Sequence, residues 1–144
     1  MAGFRVEGLD ELMTSFEQLA LLPDHVPMEM LDAEAAVLED AQRQKARTML
    51  KGPYSAGRVA SSVKRLKPKK SSDGYIQRIT FEGSITDKYH KKSTRIAEIA
   101  FINEFGKSGQ TARPFIQTAN EESADEATAA GAKVYDDYLK SMGL

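Results

Sequence analysis

The sequence contains no cysteine and no tryptophan. Without cysteine there are no disulfide staples, no thiolate ligands and no thiolate nucleophile, and a reducing cytoplasm is compatible. Histidine occurs only as His25 and His90, far apart and without partners at ligand spacing, so no metal site is expected. No apolar run approaches the roughly 20 residues that span a bilayer. Met1 to Asp10 has no apolar signal core, so no secretion signal is expected. The glycines are scattered, with neither a P-loop nor a dinucleotide-type cluster. Ser55, Ser61 and Ser62 lack the G-x-S-x-G elbow of a serine nucleophile. The adjacent acids Glu121 and Glu122 read as dipole compensation at a helix start rather than as an acid/base pair. No catalytic residue and no cofactor is therefore expected, and the chain reads as a non-enzyme.

What is present is a chain of 144 residues, the size of one domain with a modest core. Its net charge of −1 conceals a segregation: residues 1–42 balance at −9, residues 43–95 at +12 and residues 96–144 at −4. The single domain (1–144) accordingly divides into a helical acidic part (1–51), a basic sheet part (52–106), and a loop with a C-terminal helix (107–144).

Leu9, Leu12, Met13, Phe16 and Leu19 recur at helical spacing, and Pro23 stops that helix. A second helix is expected from about Pro27 to Leu50, its thin apolar stripe formed by Met30, Ala33, Val37 and Ala41 and its end marked by Gly52-Pro53. Gly57 to Val63 fits one or two helical turns. Lys64 to Lys70 reads as the first strand of a hairpin, with Pro68 confining it to an edge. Ser71 to Gly74 is the turn, since Asp73-Gly74 tolerates positive φ. Tyr75 to Glu82 is the clearest strand, with Tyr75, Ile79 and Phe81 on one face. Arg95 to Phe101 is a third strand candidate, with Ala97, Ile99 and Phe101 aligned. The last helix is expected to start near Pro114, with Thr118-x-x-Glu121 as a capping box, and to run to about Ser141 behind the stripe Ala124, Ala127, Ala130, Val134 and Tyr138. The expected fold is α+β: two N-terminal helices, a small antiparallel sheet of about three or more strands, and a long C-terminal helix packed on it.

Two features stand out chemically. The first is basic: Lys64, Arg65, Lys67, Lys69 and Lys70 precede the hairpin turn, and Lys88, Lys91, Lys92 and Arg95 follow the central strand. Three readings stay open: a solvated, edge-protecting face, contact with an acidic subunit or partner surface, and phosphate binding to nucleic acid through the 43–95 region. The second is the run Ala100-Phe-Ile-Asn-Glu-Phe-Gly106, a polar loop Lys107 to Thr111, then Ala112-Arg-Pro-Phe-Ile116. Phe101, Ile102 and Phe105 are at helical spacing and are expected to anchor a turn. Gly106 permits reversal with positive φ, Arg113 before Pro114 is held extended, and Phe115 is expected in the core. Glu104 and Arg113 are candidates for an ion pair. On the residues alone, this unit folds a loop between a strand and the final helix.

The same unit resembles the HK97 gp10-like family of tailed-phage neck and tail proteins. The family pattern falls on Ala100, Glu104, Phe105, Gly106, Ala112, Arg113, Pro114 and Phe115. A looser second feature falls on Pro53, Ser55, Gly57, Val59 and Ser62, and the opening Gly8 to Leu12 segment agrees in order. The resemblance implies a virion structural protein at the neck or tail, acting in head–tail joining or tail completion. It would be assembled in the host cytoplasm as a ring subunit (a hexamer in the virion, a monomer in isolation). Its partners would be its own copies and other neck and tail proteins, with no membrane and at most indirect DNA contact. Physics adds a compatible mechanism, in which the acids Glu11, Glu17, Glu29, Asp32 and Glu39 face a neighbour's basic region and set its orientation. The candidate contacts are then Lys64, Arg65, Lys67, Lys69, Lys70, Lys88, Lys91, Lys92, Arg95, Lys107 and Gln110.

Overall fold

A computed structural model describes residues 22–50, 57–86 and 92–143. The expected first helix, Leu9 to Leu19, lies outside these residues, as do Gly52-Pro53, Lys88 and Lys91. The described chain is α+β: a long helix, several short antiparallel strand pairs and a long C-terminal helix.

Helix α1 spans His25–Met49, directly after Pro23 and Asp24. At Leu50 the backbone is already extended, though its N–H still donates to Ala46 O at 3.0 Å. Helix α2 is the short turn Arg58–Ser62. Strands β1 (Val63–Arg65), β2 (Lys69–Ser71), β3 (Gly74–Ile76) and β4 (Ile79–Phe81) follow. β1 pairs with β4 from Val63↔Phe81 to Arg65↔Ile79, and Leu66 N–H extends the ladder to Arg78 O. β2 pairs with β3 from Lys69↔Ile76 to Ser71↔Gly74, closed by a two-residue turn through Ser72 and Asp73. Across the break the register shifts by one residue, so that Lys67 and Pro68 oppose Gln77 alone. This is a bulge, and proline causes it: with no N–H, Pro68 cannot continue the ladder. Gln77 fills the gap, its Nε2 donating to Leu66 O at 2.8 Å and to Asp32 Oδ1 on α1 at 2.7 Å. The two expected strands are thus one hairpin split at Pro68. Ile79 and Phe81 join the core, and Tyr75 reaches Asp24 just before α1.

The third strand candidate is overturned. Only Thr94–Arg95 is extended (β6), pairing with β5 (Ser84–Ile85), and the chain then enters helix α3, Ile96–Phe105. Alternation of Ala97, Ile99 and Phe101 is equally compatible with the helical set Ile96, Ile99, Ala100, Asn103 and Glu104, which is what the fold buries. The sheet is therefore three separate two-stranded pairs rather than one continuous sheet.

Helix α4 spans Phe115–Ser141, starting three residues before the expected Thr118 cap. It lies along α1 rather than across the strands. Glu34 faces Gly131, Gln42 Nε2 donates to Asn120 Oδ1 at 3.0 Å, and the rings of His25 and Tyr138 meet edge-on, so the two helices run antiparallel. The buried line of α4 is Phe115, Ala119, Ser123, Ala127 and Gly131, strictly four apart. Ala124, expected inside, is exposed, and Ala130, Val134 and Tyr138 are half-buried. Along α1 the buried residues are Val26, Ala35, Gln42 and Ala46, whereas Met30, Ala33, Val37 and Ala41 are only half-buried. The helix is flanked by α4 on one side and the hairpin on the other, so Ala35, Gln42 and Ala46 lie between the two contacts. The main core sits at one end of this pair: Ala46, Leu50, Val59, Val63, Phe81, Ile96, Ile99, Ala100 and Phe115 cluster there, with Phe81 and Phe115 edge-to-face at 5.8 Å. No described helix is long and apolar enough to cross a membrane.

Candidate functional site

The Ala100 to Phe115 run folds as a single clamp at the junction of α3 and α4. Glu104 is 6% exposed, and its two carboxylate oxygens accept the backbone N–H groups of Ile116 (2.8 Å) and Gln117 (2.9 Å). These are orphan donors of the first turn of α4, so the cap comes from another helix instead of a local Thr118 box. A carboxylate there also meets the positive end of the helix dipole. Arg113 N–H donates to Asn103 O at 2.6 Å, tying the returning loop to α3. Asn103, itself buried, donates Nδ2 to Ile99 O at 2.9 Å.

Gly106 terminates α3 at φ 78°, where a Cβ would stand 2.9 Å from both Ala112 N and Gln110 O. Only glycine fits. Lys107 and Gln110 close the loop with reciprocal backbone hydrogen bonds of 3.1 and 2.9 Å. Pro114 precedes the first helical residue, and Phe115 is fully buried, as is Ala100. Ala112 and Arg113 face solvent. Two members of the run depart from expectation: Phe101 and Phe105 do not anchor the turn from inside. They are 53% and 75% exposed, their rings stacked on the surface of α3 at 6.3 Å.

The basic residues divide into two groups. Arg65 is drawn to α1, its Nε 3.2 Å from Asp32 and 4.0 Å from Glu39, while Glu39 Oε2 also accepts Arg65 N–H at 2.8 Å. Lys64 pairs with Glu82 at 3.1 Å and Lys70 with Asp24 at 3.3 Å. Lys67, Lys69, Lys92, Arg95 and Lys107 are exposed, with no ion pair among the described residues. Within the chain, then, acid and base already meet: Asp32 and Glu39, expected to face a neighbour, hold the hairpin against their own helix. Glu29 is exposed, and Glu11 and Glu17 lie outside the described residues.

At the hairpin end, Tyr75 donates its hydroxyl to Asp24 beside Lys70. The Tyr75 hydrogen bond, followed by that from Lys70, holds Asp24 below its ordinary value, and the same hydrogen bond holds Tyr75 above its own. Next to Tyr75 an open, mainly apolar pocket of about 360 Å³ is lined by Leu22, Pro27, Met30, Leu31 and Glu34. A second, more polar cleft of about 420 Å³ runs between α1 and the bulge, walled by His25, Met28, Glu29, Asp32, Arg65 and Lys67. Among the described residues no group of three or more His, Asp or Glu is placed to hold a metal ion.

Sequence reasoning missed Asn103, Gln42, Asn120 and Gly131. The first three are polar residues on helices whose face is set only by tertiary packing, and Gly131 sits in an alanine-rich stretch that carries no directional signal. Compared with known proteins, the chain matches no family model, no curated protein and no solved structure.

Proposed function

We propose that the chain is a non-enzymatic structural subunit of a tailed bacteriophage or prophage. It acts at the head–tail junction or tail end within a ring of its own copies, in contact with other neck and tail proteins. One observation carries this reading. The pattern that resembles the HK97 gp10-like family falls on residues that work together physically. Glu104 caps the helix that Pro114 and Phe115 begin, Gly106 makes the reversal, and Ala100 and Phe115 are packed in the core. A motif that specifies one joint between two helices accounts for why these residue types recur at this spacing.

The test is genetic and visual. Deleting the coding sequence from the source phage or prophage should leave filled heads and separate tails that fail to join, or tails of altered length, in negative-stain micrographs. The protein should be found in purified particles by mass spectrometry. Intact, infectious particles formed without it would dismiss the reading.

A second reading, nucleic-acid binding, draws on Lys67 and Lys69, which project from the hairpin without ion pairs among the described residues. The internal pairing of Arg65 and Lys70 weakens it, because those charges are already balanced. A mobility shift with duplex DNA at low salt separates the two readings.

A further inference from the structure

Phe101 and Phe105 are large apolar side chains left in water on an otherwise well-packed helix, and their rings stack on each other. The backbone holds them there. Glu104, next to Phe105, is fixed by Ile116 and Gln117, and Gly106 is wedged against Ala112 and Gln110. An exposed aromatic pair on a rigid mount is the usual form of an interface anchor.

The same molecule carries a cavity of matching character. The pocket of Leu22, Pro27, Met30 and Leu31 has about 360 Å³, whereas roughly 150 Å³ of aliphatic-lined space accepts a benzene. The knob and the pocket sit at opposite ends of α1. α3 packs in the cluster that holds Ala46 and Leu50, whereas the pocket is built by residues 22–34. At 1.5 Å per residue the two are about 25 Å apart along the helix, so one copy cannot fill its own pocket.

Charge agrees. Arg95 and Lys107, exposed and without ion pairs among the described residues, lie at the two ends of α3, and Glu98 is one turn before Phe101. Glu34 lines the pocket, while Asp24, bound to the pocket residue Tyr75, is balanced by Lys70. The knob side is net positive and the pocket side net negative.

We infer that Phe101 and Phe105 of one copy seat in the Leu22–Pro27–Met30–Leu31 pocket of the next, a head-to-tail contact between copies of this chain. A contact of this kind joins two different surfaces and so propagates, closing into a ring when the rotation permits. The inference rests on the ring-subunit reading and names its interface.

The full chain is tested by sedimentation velocity over a concentration series. Wild type, monomeric when dilute, should associate as its concentration rises. F101D/F105D, altered only at exposed positions, should keep its circular dichroism and raise the dissociation constant at least tenfold. M30E, altered in the pocket, should do the same. Mixing the two variants leaves one intact knob and one intact pocket, and should give dimers but nothing larger. The lack of native cysteine allows a second measurement: F105C and M30C copies, mixed under mild oxidation, should cross-link to a heterodimer. Should M30E fail to fold, the surface double variant and the cross-link still decide. Oligomers that survive F101D/F105D would overturn this contact while leaving the ring reading intact. A chain that stays monomeric at millimolar concentration, with no cross-link, would also overturn the contact, and the particle-deletion experiment would then judge the ring reading by itself.

Discussion

Glu104 shows how one side chain sets a fold. It is buried, and burying a carboxylate is costly unless it is hydrogen-bonded. Here both oxygens are engaged by N–H groups that would otherwise be unpaired at the start of α4. Replacing it with alanine removes the cap and strands two donors. The loss lies between that of an ordinary cap, about 1 kcal/mol, and that of an unsatisfied buried donor, about 1–3 kcal/mol, so E104A should lower unfolding stability by about 1–3 kcal/mol in urea titration. E104Q keeps one acceptor oxygen and should recover part of that loss. Equal stability of all three proteins would show that the cap is incidental. The carboxylate at this point was legible as part of a motif, but its partner was not. Arg113 is the residue that charge alone suggests, whereas the hydrogen bonds go to backbone groups of Ile116 and Gln117, which sequence pattern does not display.

Elements were legible in proportion to how far local signals decide them. Helix α1, the Ser71 to Gly74 turn and the start of α4 near Pro114 carry strong local punctuation, and each forms where that punctuation predicts. Helix α3 does not announce itself, because Arg95 to Phe101 satisfies both a period of two and a period near 3.6. The decision comes from the helical set of Ile96, Ile99 and Ala100 packing into the core. The buried face of α4 was misjudged for a related reason: alanine occurs on every side of that helix, and small size rather than apolarity selects the face. Gly131 makes this point testable. A Cβ there would lie 2.8 Å from Glu34 Cγ, so the two long helices approach closely at this position. G131A should be nearly neutral, since Glu34 can swing aside and alanine favours a helix by about 1 kcal/mol. G131L cannot be absorbed in that way and should cost about 1–3 kcal/mol by overpacking, seen as a lower denaturant midpoint with unchanged helicity of the folded state. A leucine tolerated as well as alanine would show that the helices are not in close contact there.

For the molecule as a whole, the division of charge along the sequence is closed by the fold only in part. Arg65 and Lys70 of the basic region meet Asp32, Glu39 and Asp24 of the acidic one, and so hold the hairpin against α1. Exposed pairs of this kind contribute little stability each, but they orient one element on another. The Tyr75–Asp24–Lys70 clasp gives this arrangement a pH signature. Asp24 is held below 3.8, so its contribution is present above that value and is lost as pH falls through the lowered pKa. Tyr75 is held above 10.0, so its contribution is present below that value and is lost as pH rises through the raised pKa. Spectrophotometric titration near 295 nm should show one tyrosine ionising later than the rest, and Y75F should remove that late step. If the titration curve kept its late limb in Y75F, the clasp would not exist in solution. The segregation of charge was plain in the sequence, but its destination was not, because pairing across a chain depends on which faces the fold brings together.

Glu104 and Phe105 are consecutive, and one holds the first turn of a 27-residue helix while the other points into solvent. The pair therefore forms a lever with almost no slack. A force applied to the Phe105 ring passes through one peptide unit to the Glu104 carboxylate and is delivered to the end of a rod about 40 Å long. A partner held at the aromatic pair would therefore sit a single residue from the cap that orients α4.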